Sequence, residues 1–116
     1  MRFLIADDNA PFRRMVREVL REGFGPGLEL LECSNGKEAV DTYAAEHPDW
    51  VIMDLEMPLM DGLEATRHIL GSHPSARVLV LTLHVGEEYR TAAEEAGAAG
   101  FLEKERIADL CGRLGV

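Results

Sequence analysis

A pair of carboxylates at Asp7 and Asp8, a third at Asp54, a hydroxyl at Thr82 and an ammonium at Lys104 each end or directly follow a short apolar run. Taken singly, each has an ordinary explanation. An Asp after a strand is a cap or turn residue, and a lone Lys is a solvated charge. Taken together they make a chemical set. Three carboxylates held within a few ångströms repel, so such a cluster needs a cation or a protonated member. Oxygen-only ligands with room for water suit Mg²⁺. A hydroxyl and an ammonium beside that metal meet the needs of a transferred phosphoryl group, whose charge spreads over its oxygens. The combination reads as a Mg²⁺-dependent phosphoryl site with a carboxylate as nucleophile.

For these groups to meet, the runs that carry them must lie side by side and end at one rim. The runs are Phe3–Ala6, Leu28–Cys33, Trp50–Met53, Arg77–Thr82 and Ala99–Leu102. Several are continuous rather than alternating, as parallel strands covered on both faces should be. Helical patterns separate them. After Asn9, the positions Phe12, Met15, Val16, Val19 and Leu20 follow the stripe of an amphipathic helix, with Pro11 in its first turn and Gly23 at its exit. Asn35 with Glu38, and Asp61 with Glu64, have the spacing of capping boxes. A fourth helix is predicted over Glu87–Ala96, stopping at Gly97, and a fifth over Glu105–Leu114. This is a (βα)5 pattern. Right-handed crossovers leave few topologies, and the flavodoxin-like α/β fold, a doubly wound parallel five-stranded sheet in the order 2-1-3-4-5, places its site at the carboxyl ends of strands 1 and 3. The glycines of Gly23–Gly27 lack phosphate-cradle spacing and fall at the other end of that sheet, so they read as plain turn chemistry.

Composition narrows the function. Lys and Arg number 12 against 21 Asp and Glu, a formal charge of −9, and 47 % of the residues are hydrophobic. The chain reads as one packed domain over residues 1–116, with no linker, repeat or following output domain. The acidity argues against direct nucleic-acid binding and against anionic membrane surfaces. No apolar run reaches transmembrane length, the N-terminus is not a signal peptide, and a cytoplasmic protein is expected. Cys33 and Cys111 suit small buried hydrophobes rather than a disulfide or a metal site.

Four segments carry a family resemblance: Asp7-Asp8, the run Asp54-Leu55-Glu56-Met57-Pro58-Leu59-Met60-Asp61-Gly62, Val80-Leu81-Thr82, and Gly97-Ala98-Ala99-Gly100-Phe101-Leu102-Glu103-Lys104. In order, and over essentially the whole chain, they resemble the receiver domain of two-component response regulators. The resemblance implies a conformational switch rather than a metabolic enzyme, one that assists its own phosphorylation and dephosphorylation. Asp54 would be the phosphoacceptor, taking its phosphoryl group from the phosphohistidine of a sensor histidine kinase or phosphotransfer protein. Asp8, Asp54 and the Glu56 backbone carbonyl would ligate Mg²⁺, or Mn²⁺ as a substitute, with Asp7 acting through a bound water. Lys104 would pair with the Asp54 carboxylate and then with its phosphoryl group. Thr82 would hydrogen-bond a phosphoryl oxygen, and Phe101 would be the switch aromatic that moves inward. Pro11 and Arg14, at the start of helix 1, are candidate contacts for the kinase. Readout would pass to an output domain or effector protein, or to a phosphorylation-dependent homodimer.

Two positions depart from the commonest form of the family. Phe101 replaces a frequent Tyr and has no hydroxyl, so a switch here works by packing, and the inward ring should already be populated without phosphate. Lys104 precedes Glu105 where proline is frequent, and a trans bond is expected because a cis one would cost about 2.5–4 kcal/mol. Two other readings compete. A haloacid-dehalogenase-type aspartyl-phosphate phosphatase shares Asp, Thr, Lys and Mg²⁺, but it needs a DxD motif on strand 1 and a cap domain. A receiver-like binding module that works without phosphorylation usually loses an acidic residue or the Lys. Among the rest, His84 reads as a loop histidine near the site, and His47, His68 and His73 as solvated residues. Met57 and Met60 read as gap-fillers, Leu59 and Met60 also as partner contacts, and Trp50 as core or edge packing.

Overall fold

The computed structural model describes residues 1–115. Five strands, β1 (Arg2–Ala6), β2 (Glu29–Cys33), β3 (Trp50–Met53), β4 (Val78–Thr82) and β5 (Gly100–Glu103), form one parallel sheet in the order β2-β1-β3-β4-β5. They alternate with α1 (Ala10–Phe24), α2 (Gly36–Glu46), α3 (Gly62–Ser72), α4 (Glu87–Glu95) and α5 (Leu110–Arg113). The strand periodicity of two divides the core between the sheet faces. Phe3, Ile5, Trp50, Ile52, Leu79 and Leu81 pack with α1 and α5. Leu4, Ala6, Val51, Met53 and Val78 pack with α2 and α3. Strands β1, β3 and β4 are buried almost throughout, which is why their sequences run apolar without alternation, and β5 buries its central Phe101 and Leu102. The edge strand β2 is not, and carries Glu29 and Glu32.

The expected caps are present. Asn9, Asn35 and Asp61 accept hydrogen bonds from the backbone N–H of Phe12, Glu38 and Glu64 at 2.9, 2.8 and 2.9 Å. The Glu38 carboxylate closes its box on Ser34 rather than on the Asn35 backbone, accepting from the Ser34 N–H and hydroxyl.

Three expectations need correction. Helix α1 continues through Gly23 and ends at Gly25, whose φ of 77° is the positive value a glycine tolerates. Gly23 instead serves a close approach: a Cβ there would lie 2.3 Å from Cys111 Sγ. Met15, placed on the apolar stripe by spacing, is 47 % exposed and faces away from the sheet. The segment after β5 is a 3-10 helix over Lys104–Asp109, broken at Arg106, and only then the short α5. Its three-residue period puts Lys104, Ile107 and Leu110 on one inward side, which a helix of 3.6 residues per turn would not do as directly. His47 is exposed and His73 half-buried, as the solvated reading expects, and the structure adds a contact between them. They cap the C-termini of α2 and α3, and their rings stand 5.0 Å apart, edge to face, against Tyr43. No peptide bond among the described residues is cis, so Lys104–Glu105 is trans. Trp50 is core, with the Arg77 guanidinium over its ring at 4.7 Å.

Candidate functional site

The strand ladder brings the acidic residues together. Asp54 follows β3, and its N–H donates to the Ala6 carbonyl at 2.9 Å; Asp7 follows β1, and its N–H donates to the Cys33 carbonyl at 3.1 Å. Parallel neighbours that end in register leave the next residues of both chains at one rim, here with Asp8 beside them. Asp7, Asp8 and Asp54 each offer a carboxylate oxygen within 4.8 Å of the others. They differ in environment. Asp7 and Asp54 are buried and Asp8 is open to solvent, at the edge of a pocket of about 730 Å³ that also reaches Glu56, Met57, His84 and Lys104.

Lys104 enters this cluster from the end of β5 and is itself buried. Its ammonium lies 2.7 Å from Asp7 Oδ2 and 3.5 Å from Asp54 Oδ2. The expected pairing with Asp54 is therefore the longer of two contacts, and Asp7 is the first partner. Both Asp7 oxygens are engaged, because Oδ1 accepts from the Asn9 N–H at 2.9 Å. Asp54 Oδ1 accepts from the Leu55 N–H at 2.9 Å. Burial, and after it the Asp7 charge, push the Asp54 carboxyl up to about 6 from an ordinary 3.8, with Lys104 and the Leu55 N–H offsetting part of the rise. A carboxylate kept this unsatisfied is one that a cation, or a group carrying one, would relieve.

The donors suit a hard cation. All are oxygens, one of the three carboxylates faces solvent, and the Glu56 backbone carbonyl accepts no hydrogen bond among the described residues. That set fits Mg²⁺, which takes one or two carboxylates and keeps several waters. The loop after β3 is shaped to present it. Gly62 N–H donates to the Leu55 carbonyl at 2.8 Å, Gly36 N–H donates to the Met60 carbonyl at 3.0 Å, and Leu59 turns through a φ of 68° that leaves its side chain 83 % exposed. Met57 and Met60 pack back onto the α2–α3 core as gap-fillers.

The remaining predicted residues are also placed. Thr82 is fully buried at the end of β4, and its Oγ1 accepts from the His84 N–H at 3.2 Å. Phe101 is buried against Leu55, Val80 and Ala93, with the Arg90 guanidinium 5.0 Å over its ring. The Phe101 ring thus packs inward, and Thr82 is buried as well. Pro11 and Arg14 are exposed on the first turns of α1.

Spacing did not reveal three features. Arg13 donates to the Asp7 carbonyl at 2.6 Å and also pairs with Glu32, so it braces the end of β1. The His84 ring contacts the Glu56 carboxylate and stacks on Tyr89, which joins the loops after β3 and β4 across the pocket. Phe12 lies under the Lys104 ammonium, 4.3 Å from ring centroid to Nζ. The Glu56–His84 and Phe12–Lys104 contacts join residues far apart in sequence, and no local pattern announces such a pair.

Comparison with known proteins agrees with this geometry. The family model for the response regulator receiver domain matches residues 3–114. The chain is 36 % identical over 110 residues to the transcriptional regulatory protein DegU of Brevibacillus brevis, covering 94 % of this chain and 46 % of that protein. It is 40 % identical over 106 residues to a protein-glutamate methylesterase/protein-glutamine glutaminase of Pseudomonas fluorescens, covering 90 % of this chain and 28 % of that one. Among solved structures, a LuxR-family two-component response regulator from Aurantimonas superposes with a TM-score of 0.88 at 35 % identity, over 96 % of this chain and 79 % of that chain. The chain spans less than half the length of these two curated relatives. No helix among the described residues is long and apolar enough to cross a membrane. A match over nearly every residue, with a five-stranded sheet in the order β2-β1-β3-β4-β5 and an acidic pocket at its carboxyl rim, assigns the chain to the response regulator receiver domain family.

Proposed function

We propose that Asp54 is the phosphoacceptor of this receiver domain and that it takes its phosphoryl group from the phosphohistidine of a sensor histidine kinase or phosphotransfer protein. The observation that carries this is the buried Asp54 carboxylate, raised in pKa, set among Asp7, Asp8 and Lys104 at the end of the central strand. A carboxylate oxygen of Asp54 attacks phosphorus, the phosphorus–nitrogen bond of the donor breaks, and the electron pair leaves with the imidazole. Asp8, Asp54 and the Glu56 carbonyl would hold Mg²⁺, which would neutralise phosphoryl charge when bound; Mn²⁺ would be a chemically suited substitute. Asp7, with both oxygens already engaged, acts at one remove through water. Lys104 stands ready to move from Asp7 toward the phosphoryl oxygens. The Thr82 hydroxyl, on donating to a phosphoryl oxygen, draws the loop after β4 inward. Phe101 reads out that movement by packing alone. Its inward state gains burial but no hydrogen bond, so it biases the equilibrium without locking it. An output domain or effector protein, or a second copy of the phosphorylated chain, then senses the loop after β4 and α4. We place this exchange in the cytoplasm, where phosphohistidine donors are made.

Incubation with acetyl phosphate and Mg²⁺ should add one phosphoryl group, seen by intact-protein mass spectrometry, and Asp54→Asn should abolish it. A phosphoryl group found on Asp7 or Asp8 of that variant would overturn the assignment.

The kinase contact is assigned to the exposed start of α1, at Pro11 and Arg14. Arg14→Glu should slow transfer from the kinase by about tenfold, since a reversed rim charge acts mainly on encounter, while acetyl phosphate labelling is retained. Equal losses in both assays would remove Arg14 from the docking surface.

A further inference from the structure

The Lys104 ammonium sits among three partners rather than two. Beyond Asp7 at 2.7 Å and Asp54 at 3.5 Å, it stands over the face of Phe12 at 4.3 Å from the ring centroid. An aromatic face carries negative charge density and attracts a cation most strongly where water is excluded. That condition holds, because Lys104 is only 7 % exposed. The ring is also tethered to the carboxylate it shares the ammonium with. Asp7 Oδ1 accepts from the Asn9 N–H at 2.9 Å, and Asn9 Oδ1 accepts from the Phe12 N–H at 2.9 Å. The N-cap of α1 therefore sets the distance between Asp7 and the Phe12 ring. Ring and carboxylate together form a seat for the ammonium on the β1–α1 side of the cluster.

We infer that Phe12 is a positioning residue of the phosphoryl site, whose ring holds the Lys104 ammonium closer to Asp7 than to Asp54. The inference rests on the reading of Asp54 as phosphoacceptor. An ammonium in this seat leaves the Asp54 carboxylate incompletely neutralised, as a nucleophile must be. It also competes with a divalent cation for the charge of Asp7, so the metal and the seated ammonium oppose one another. Mg²⁺ binding at Asp8 and Asp54 should loosen Lys104 from the ring, and a phosphoryl group on Asp54 should then receive it. A leucine at position 12 would keep the apolar stripe of α1, but it has no face to offer a cation.

The test uses the whole chain, with MgCl₂ as the metal. In the wild type, the Lys104 Hε protons should be shifted upfield by the ring in ¹³C-edited NMR spectra and should move downfield as Mg²⁺ is added. Phe12→Leu should abolish the upfield shift and tighten Mg²⁺ binding, measured by calorimetry, by about two- to thirtyfold, the span from an exposed to a desolvated cation–ring contact. Phe12→Trp, which keeps a ring face, should restore the upfield shift and return Mg²⁺ affinity to the wild-type value or below. A purely structural Phe12 would lower the unfolding temperature in Phe12→Leu and leave Mg²⁺ affinity unchanged, and that result would overturn the inference. So would Lys104 resonances that do not move on Mg²⁺ addition. The two readings fail separately. Absence of labelling in the wild type sinks the phosphoacceptor role even if Phe12→Leu tightens Mg²⁺, and normal labelling with unchanged Mg²⁺ affinity sinks the role of Phe12 alone.

Discussion

Asp54→Asn is expected to stabilise the resting, metal-free domain by about 2 kcal/mol at pH 8 and by almost nothing below pH 4. The reason is the buried carboxyl, pushed up to about 6 first by burial and then by the Asp7 charge, against 3.8 when unperturbed. The folded chain therefore holds the Asp54 proton more tightly than the unfolded chain does. The stability gained from that proton is fully present below the unfolded value and is lost as pH rises through about 6. Above that pH the wild type bears the whole cost of an ionised, partly desolvated carboxylate, about 3 kcal/mol for a shift of this size, reduced to about 2 by water entering the open pocket. An amide at the same position has no charge to desolvate. Urea denaturation of both proteins from pH 4 to pH 8 should give curves that separate as pH rises to about 6 and then keep a constant gap. A gap that does not change with pH would refute an electrostatic origin. Saturating Mg²⁺ at pH 8 should narrow the gap, because the metal relieves the same repulsion in the wild type and has less to bind in the variant.

The second large effect is steric. Gly62→Ala should cost about 3 kcal/mol or more, or prevent folding. The added Cβ would lie 1.9 Å from the Asp54 carbonyl oxygen, 2.8 Å from its carbon and 2.9 Å from Leu55 Cα. All three are backbone atoms, and none can step aside. Asp54 is held by its hydrogen bond to Ala6, and Leu55 by the one its carbonyl accepts from Gly62 itself. The first turn of α3 would have to lift away from the end of β3, carrying the phosphoacceptor with it. Gly71, also in α3, is the control. A Cβ there meets nothing within 4 Å, so Gly71→Ala should be neutral or stabilising by about 0.5–1 kcal/mol. Thermal unfolding of the two variants should differ widely; similar melting temperatures would show that the loop after β3 yields more easily than its hydrogen bonds imply.

Much of this protein was legible in its residues, because the signals are local. Asn9, Asn35 and Asp61 sit where a helix must start, and their side chains meet the N–H groups that spacing alone assigns to them. Apolar runs without alternation imply strands covered on both faces, and alternating strands and helices with right-handed crossovers leave few sheet orders. Once that order is chosen, Asp7, Asp8, Asp54, Thr82 and Lys104 arrive at one rim by counting residues to the strand ends. Boundaries were less legible. Gly23 resembles a helix stop but belongs inside α1, because its missing side chain makes room for Cys111, 88 positions away. Met15 fits the apolar stripe but lies beyond its edge, since no element packs there to cover it.

The amino-acid sequence by itself determined the fold class, the rim and the set of groups that gather there, because helix caps, hydrophobic periods and strand ends follow from short-range chemistry. Only the tertiary structure decided how those groups are paired. Lys104 chooses Asp7 over Asp54 by less than 1 Å, rests on Phe12, and leaves Asp54 with a raised pKa. The Glu56–His84 contact joins two loops, and the group of His47, His73 and Tyr43 joins two helix ends. Coulomb and cation–ring energies change steeply over distances of that size in a buried site. Such distances are set by the packing of whole elements, in which every side chain of the core takes part, and they are not encoded at the positions that meet.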